Sequence, residues 1–175
     1  MVQYTKSRKT RNRLLMSACE VFGKKGYRDA RISDICKRAG SNVASVNYYF
    51  GSKAALYQEA WQSAFEKGFI PEPPEAAKAD SETRLRLRIN ALVGKFFDRG
   101  AAGLFTRMYL MELANPTGLI NENWRKLIEP RRKLLLNILR DLLGPDASDE
   151  DVFFCELSII NQCRGFLILR KKELE

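Results

Sequence analysis

The 175-residue chain contains no histidine. That absence excludes the usual zinc sets, the Ser-His and Cys-His nucleophile pairs, and the commonest general base. Its four cysteines, Cys19, Cys36, Cys155 and Cys163, form no CxxC pair and each sits in an apolar helical pattern. Buried thiols rather than a disulfide or metal framework are expected, and no cofactor or metal is called for. No apolar run approaches the roughly 18–20 residues that cross a bilayer. The basic first segment has too short and interrupted an apolar part for a signal peptide, so a cytoplasmic location is expected. Strand alternation and internal repeats are also missing. What remains is a chain with 45% hydrophobic residues spread at helical spacing, long enough to bury a core.

Charge is unevenly placed. Residues 1–53 hold twelve Lys or Arg and three Asp or Glu, so 12 − 3 = +9; residues 54–175 hold eighteen of each sign, so 18 − 18 = 0. All of the excess positive charge therefore lies in the first third, as expected of a segment that meets a polyanion. A basic face kept for solubility is the plainer alternative.

The apolar pattern predicts a first helix from about Ser7 to Lys24 with Gly26 as its stop, and a short one from about Ile32 to Arg38. The cations from Lys6 to Arg13 crowd the first turns of the first helix, against its dipole, unless a phosphate is the partner. "AGSN" then predicts a tight turn, with Gly40 left-handed and Asn42 as cap of a helix from about Val43 to Tyr49. Val46 and Phe50 are its expected buried side. Two short helices joined in this way form a helix-turn-helix. The outer face offers small or flat groups at Val43, Ala44, Ser45 and Tyr48 for base edges, and donors at Asn47, Tyr49 and Lys53 for phosphates. An exposed polar helix with stray tyrosines is the alternative. A longer helix from Ser52 to about residue 68 follows, and then "PEPP" within a linker over 71–80. Four more helical segments are expected at about 81–99, 104–114, 119–143 and 150–172, with Pro130 as a kink or fresh start. Arg131, Arg132 and Lys133 read as a solvated face. The fold class is all-α: a three-helix helix-turn-helix domain over 1–53, a connecting helix over 54–70, the linker, and a helical domain over 81–175.

The stretch "LLMSACEVFGKKGYRDARISDICKRAGSNVASVNYYFGSKAALYQEAW" resembles the DNA-binding domain of TetR-family transcriptional repressors. It repeats the family's order of apolar helix, Phe-x-x-x-Gly-Tyr, Asp-Ile, Ala-Gly, recognition helix, Phe and Ser-Lys. "NVASVNYYFGSK", Pro130 and "NQC" are similar to the branch typified by the CecR regulator. The resemblance implies an all-α homodimer on a palindromic double-stranded operator, with a C-terminal domain that binds a small effector. Two positions depart from the pattern. Arg31 stands where most members carry a capping Thr or Ser, and Asn47 stands where most carry Tyr. The expected DNA contacts are Arg31, Ser33, Asn42, Val43, Ala44, Ser45, Asn47, Tyr48, Tyr49 and Lys53.

One small recognition helix reads few base pairs, so two copies are needed. The last helix shows two apolar stripes, Phe153, Leu157, Ile160 and Leu167 on one and Val152, Ile159, Cys163 and Phe166 on the other. The first stripe is the expected dimer interface, with burial inside one subunit as the alternative. An effector wall for a flat apolar or aromatic ligand is expected from Phe97, Met108, Tyr109 and Met111, with Arg107 and Glu112 as polar anchors and Trp124 and Asn161 beside them. Ordinary core is the alternative for each. The competing function is a DNA-binding protein that recruits a protein partner without an effector; an enzyme is not expected.

Overall fold

Helix α1 (Val2–Asp29) carries Leu14, Ala18, Cys19, Val21 and Phe22 into the core and breaks at Gly26, where φ is 72 and ψ is 176. The computed structural model describes residues 2–69, 78–98 and 100–168. Helices α2 (Ile32–Ala39), α3 (Val43–Phe50) and α4 (Lys53–Gly68) follow. Then come α5 (Ser81–Phe97), α6 (Ala101–Ala114), the single turn α7 (Asn121–Asn123), α8 (Glu129–Leu143) and α9 (Asp149–Ile168). All regular structure among the described residues is helical.

The chain divides into two compact units. The first joins residues 1–69 to residues 99–123, and the second joins 70–98 to 124–175. Within the first, α6 packs on both α1 and α4. The Phe105 ring meets Trp61 edge-on at 4.9 Å and Phe65 at 5.1 Å. Leu104 and Met108 close over Gly23 of α1. Residues 101–123, expected to belong to the C-terminal helical domain, thus fall in the same compact unit as α1 and α4 and pack on them.

In the second unit, Leu135 and Leu139 of α8 and Val152 of α9 form the core, with Leu85 of α5, Ile159 and Ile160 packed on it. Helix ends are fixed locally. Asp80 accepts from Thr83 N at 2.7 Å, and Ser148 and Asp151 cap α9 reciprocally, Oγ from Asp151 N and Oδ2 from Ser148 N. Arg132 holds Glu156 through Nε and Nη2, both at 2.6 Å, so it tethers α8 to α9. Pro130 lies in the first turn of α8, and the turn before it, Trp124–Ile128, is π-helical. A proline ring crowds the preceding turn and supplies no N–H, which accounts for the change of register. Of the four thiols, Cys19, Cys36 and Cys163 are buried and Cys155 is half-buried.

Candidate nucleic-acid interface

The two short helices meet through a glycine turn. Gly40 adopts φ 58 and ψ 48, a left-handed conformation that a Cβ would strain, and Ser41 N donates to Cys36 O at 3.0 Å. The chain thereby reverses within three residues and enters α3 at Asn42. The Asn42 Oδ1 accepts from Ser45 N at 2.9 Å and from Ser45 Oγ at 3.0 Å. At the matching place in α2, Arg31 makes no side-chain cap, as its departure from the family pattern implies.

Burial sorts α3 into two faces. Val46 and Phe50 point inward, Phe50 lying beneath the Arg11 guanidinium at 4.8 Å from the ring centroid. Val43, Ala44, Asn47 and Tyr48 point to solvent, Tyr48 with 81% of its surface exposed. Ser33 on α2 and the neighbouring Arg31 are exposed as well, so they share the accessible surface. Tyr49 is half-buried and its hydroxyl lies 3.0 Å from Ser7 Oγ, joining α3 to α1.

Lys53 is held within the protein: its ammonium lies 4.6 Å over the Tyr27 ring and donates to Arg28 O at 3.3 Å. Arg11 pairs with Glu59, and Lys25 with Asp34 at 2.7 Å, which holds the Asp34 carboxyl below its usual range. These pairs fasten α1 to α4 and α2, while Arg8, Lys9 and Arg13 stay exposed. The first-third cations therefore divide into a set that braces the helices and a set that meets solvent.

The eight residues expected to line a ligand fall into both units. Arg107, Met108, Tyr109, Met111 and Glu112 lie in the first, and Phe97, Trp124 and Asn161 in the second. Met108 is fully buried against α1, and Met111 reaches toward Gly26. Glu112 is buried and accepts from Tyr57 Oη at 2.7 Å and from Thr117 N at 2.8 Å and Thr117 Oγ1 at 2.9 Å. Burial first, then Glu112, pushes the Tyr57 phenol up. Arg107, Phe97 and Asn161 are exposed, and Tyr109 and Trp124 half-buried.

On α9, Phe153, Phe154 and Leu157 are exposed, Phe154 most of all at 55%. Val152, Cys163 and Ile159 face the core, as one of the two stripes expects, and Ile160 packs there with them. The side chains of Leu167 and Phe166 lie outside the described residues, as does most of the 71–80 linker. Sequence reasoning missed Phe154, whose exposure follows from its place beside Phe153 on the outer face. No helix among the described residues is long and apolar enough to cross a membrane.

Residues 14–60 match the family described as bacterial regulatory proteins, tetR family, and residues 81–173 match the C-terminal domain of the HTH-type transcriptional dual regulator CecR. The chain is 24% identical over 172 residues to the dual regulator CecR of Shigella flexneri, covering 92% of this chain and 77% of that one. It is 43% identical over 49 residues to the transcriptional repressor NicS of Pseudomonas putida, covering 28% and 23%. With the transcriptional activator FasR of Mycolicibacterium smegmatis it shares 34% identity over 88 residues, covering 50% and 39%. Its fold is similar to the crystal structure of transcriptional regulator SCO4942 from Streptomyces coelicolor, with a TM-score of 0.60, 24% identity, and coverage of 90% and 79%.

Proposed function

Because the chain belongs to the TetR family of DNA-binding transcriptional regulators and carries a CecR C-terminal domain, we propose that it represses transcription from a palindromic operator and is released by a small effector. The observation that carries the DNA reading is the capped helix α3, which turns Val43, Ala44, Asn47 and Tyr48 outward from a segment holding all the excess positive charge. Small and flat side chains let such a helix enter a major groove, while Arg31, Ser33 and Tyr49 flank it toward the phosphates. Asn42 and Ser45 set its entry by capping. Lys53 contributes its charge from its seat on Tyr27.

Two copies are required for useful specificity. The exposed Phe153, Phe154 and Leu157 on α9, with Leu142 and Leu143 on α8, support a homodimer built on these two helices. The effector acts by favouring a spacing at which the two α3 helices no longer fit successive grooves, and it does so only through unequal affinity for the two spacings. An apolar or aromatic body suits the aromatic and Met-rich C-terminal helices. A cytoplasmic location follows from this role.

Fluorescence anisotropy of the protein against DNA from upstream of its own gene, beside shuffled DNA at about 150 mM salt, tests the reading. A preference of ~10³-fold or more supports an operator-specific regulator, and equal weak binding to both removes it. Transcript levels on deletion separate a repressor from the activator and dual modes that relatives carry in their names.

A further inference from the structure

Helix α3 is fixed at its two ends by different means. Its start is set locally, by the left-handed turn at Gly40 and the Asn42 cap. Its end is held by α1. The Tyr49 hydroxyl lies 3.0 Å from Ser7 Oγ, and the Arg11 guanidinium covers the Phe50 ring at 4.8 Å from its centroid. Ser7 and Arg11 stand one turn apart on one face of α1. Arg11 also donates through Nη2 to Glu59 Oε2 on α4. One side chain of α1 thus touches both α3 and α4 where α3 ends.

Helix α3 buries only Val46 and Phe50, and a two-turn helix takes its order from its neighbours. Few contacts therefore fix its rotation about its own axis, on which the aim of its outer side chains depends. A planar guanidinium that stacks on a ring and pairs with a carboxylate has little freedom to turn. The pair lies at the surface, with the Arg11 and Glu59 side chains 37% and 40% exposed. Such pairs contribute little to folding, so the effect of this one falls on where α3 points. Its charge is also answered within the chain by Glu59, whereas Arg8, Lys9 and Arg13 on the same helix are exposed.

We infer that Arg11, anchored by Glu59, is a positioning residue for operator recognition. It sets the orientation in which α3 presents Val43, Ala44, Asn47 and Tyr48, and it serves no phosphate itself. The inference rests on the DNA reading and adds to it a residue of α1. Positioning and phosphate contact predict effects of opposite sign. If Arg11 met a phosphate, Glu59→Gln would release it, remove a negative charge and tighten DNA binding. If Arg11 positions α3, the same change loosens α3 and weakens the operator complex.

Fluorescence anisotropy of the full-length protein carrying Glu59→Gln or Arg11→Lys, against the upstream fragment and shuffled DNA, tests the assignment. Arg11→Lys keeps the charge and loses the planar fork. Each variant is expected to bind the upstream fragment about tenfold more weakly, since a loss of about threefold per copy multiplies in the proposed dimer. Shuffled DNA is expected to be bound no more weakly than by the parent, with the salt slope unchanged. Both variants are expected to melt within about 4 °C of the parent. In the DNA-free proteins, backbone amides of residues 43–50 are expected to exchange hydrogen about threefold faster, with those of α6 unchanged. Tighter binding by Glu59→Gln overturns the inference and assigns Arg11 to a phosphate. Undiminished operator affinity, equal losses on both DNAs, a melt lower by more than about 4 °C, or unchanged exchange in α3 also overturns it. If the parent shows no preference for the upstream fragment, the operator reading falls and exchange in α3 alone decides whether the clamp stands.

Discussion

Asn42 joins chemistry to placement at a single residue. Its side-chain oxygen satisfies Ser45 N at the start of a two-turn helix that is too short to hold itself together. Asn42→Ala is expected to cost about 1 kcal/mol of unfolding free energy in urea titrations, and Asn42→Ser to recover most of it. A second residue pair sits deeper. Glu112 takes hydrogen bonds from Tyr57 and Thr117 in a buried setting, so Glu112→Ala strands the Tyr57 hydroxyl and is expected to destabilise by about 2–3 kcal/mol. Tyr57→Phe leaves the carboxylate its Thr117 donors and is expected to cost about 1 kcal/mol. The folded-state phenol titrates above its ordinary value of 10.0. Its contribution is therefore fully present below that pH and declines as pH rises beyond it. Alkaline difference spectra should show Tyr57 ionising together with unfolding, not before it.

At the scale of elements, the end of α4 is set by contact and not by a cap. A Cβ on Gly68 would lie 2.7 Å from Ala102 Cα and 2.9 Å from Ala101 O, both backbone atoms that cannot swing aside. Gly68→Ala is expected to part α4 from α6 and lower stability by about 2 kcal/mol in thermal melts. Elements closed by local chemistry were legible in the sequence. Gly40 and Asn42 announce the turn and the cap of α3, and the helix start read at Ser52 falls where Ser52 Oγ accepts from Ala55 N at 3.0 Å. Partners were not legible in the same way. The Met and aromatic run of α6 shows that a helix is buried, yet its spacing cannot say that α1 and α4 bury it. Ile160 lies at a stripe edge where helical spacing allows either side, and it packs inward. Arg131 reads as solvated in sequence because nothing there reveals the π-helical turn that draws it in. The residues expected to line a ligand divide the same way: five belong to the first unit and three to the second, and composition carries no sign of that division.

Over the whole molecule, charge and topology constrain function together. The +9 excess sits entirely in residues 1–53, and the proposed dimer would bring two such segments to one duplex. Operator affinity is expected to fall roughly 10³-fold or more between about 50 and 200 mM salt. A shallow salt dependence in the anisotropy titration would count against phosphate contacts as a major source of affinity.

The first unit draws on two stretches of chain, 1–69 and 99–123, with α6 supplied by the second. A fragment of residues 1–80 would leave Trp61, Phe65 and the Gly23 face of α1 without their cover, and is expected to bind hydrophobic dyes and melt without cooperativity. Inheritance is bound by the same seam. A reading head exchanged between relatives at the proline-rich linker would set α1 and α4 from one parent against α6 from the other. Recombination that succeeds is expected to carry both stretches, so the helix-turn-helix segment and α6 should descend as one linked trait.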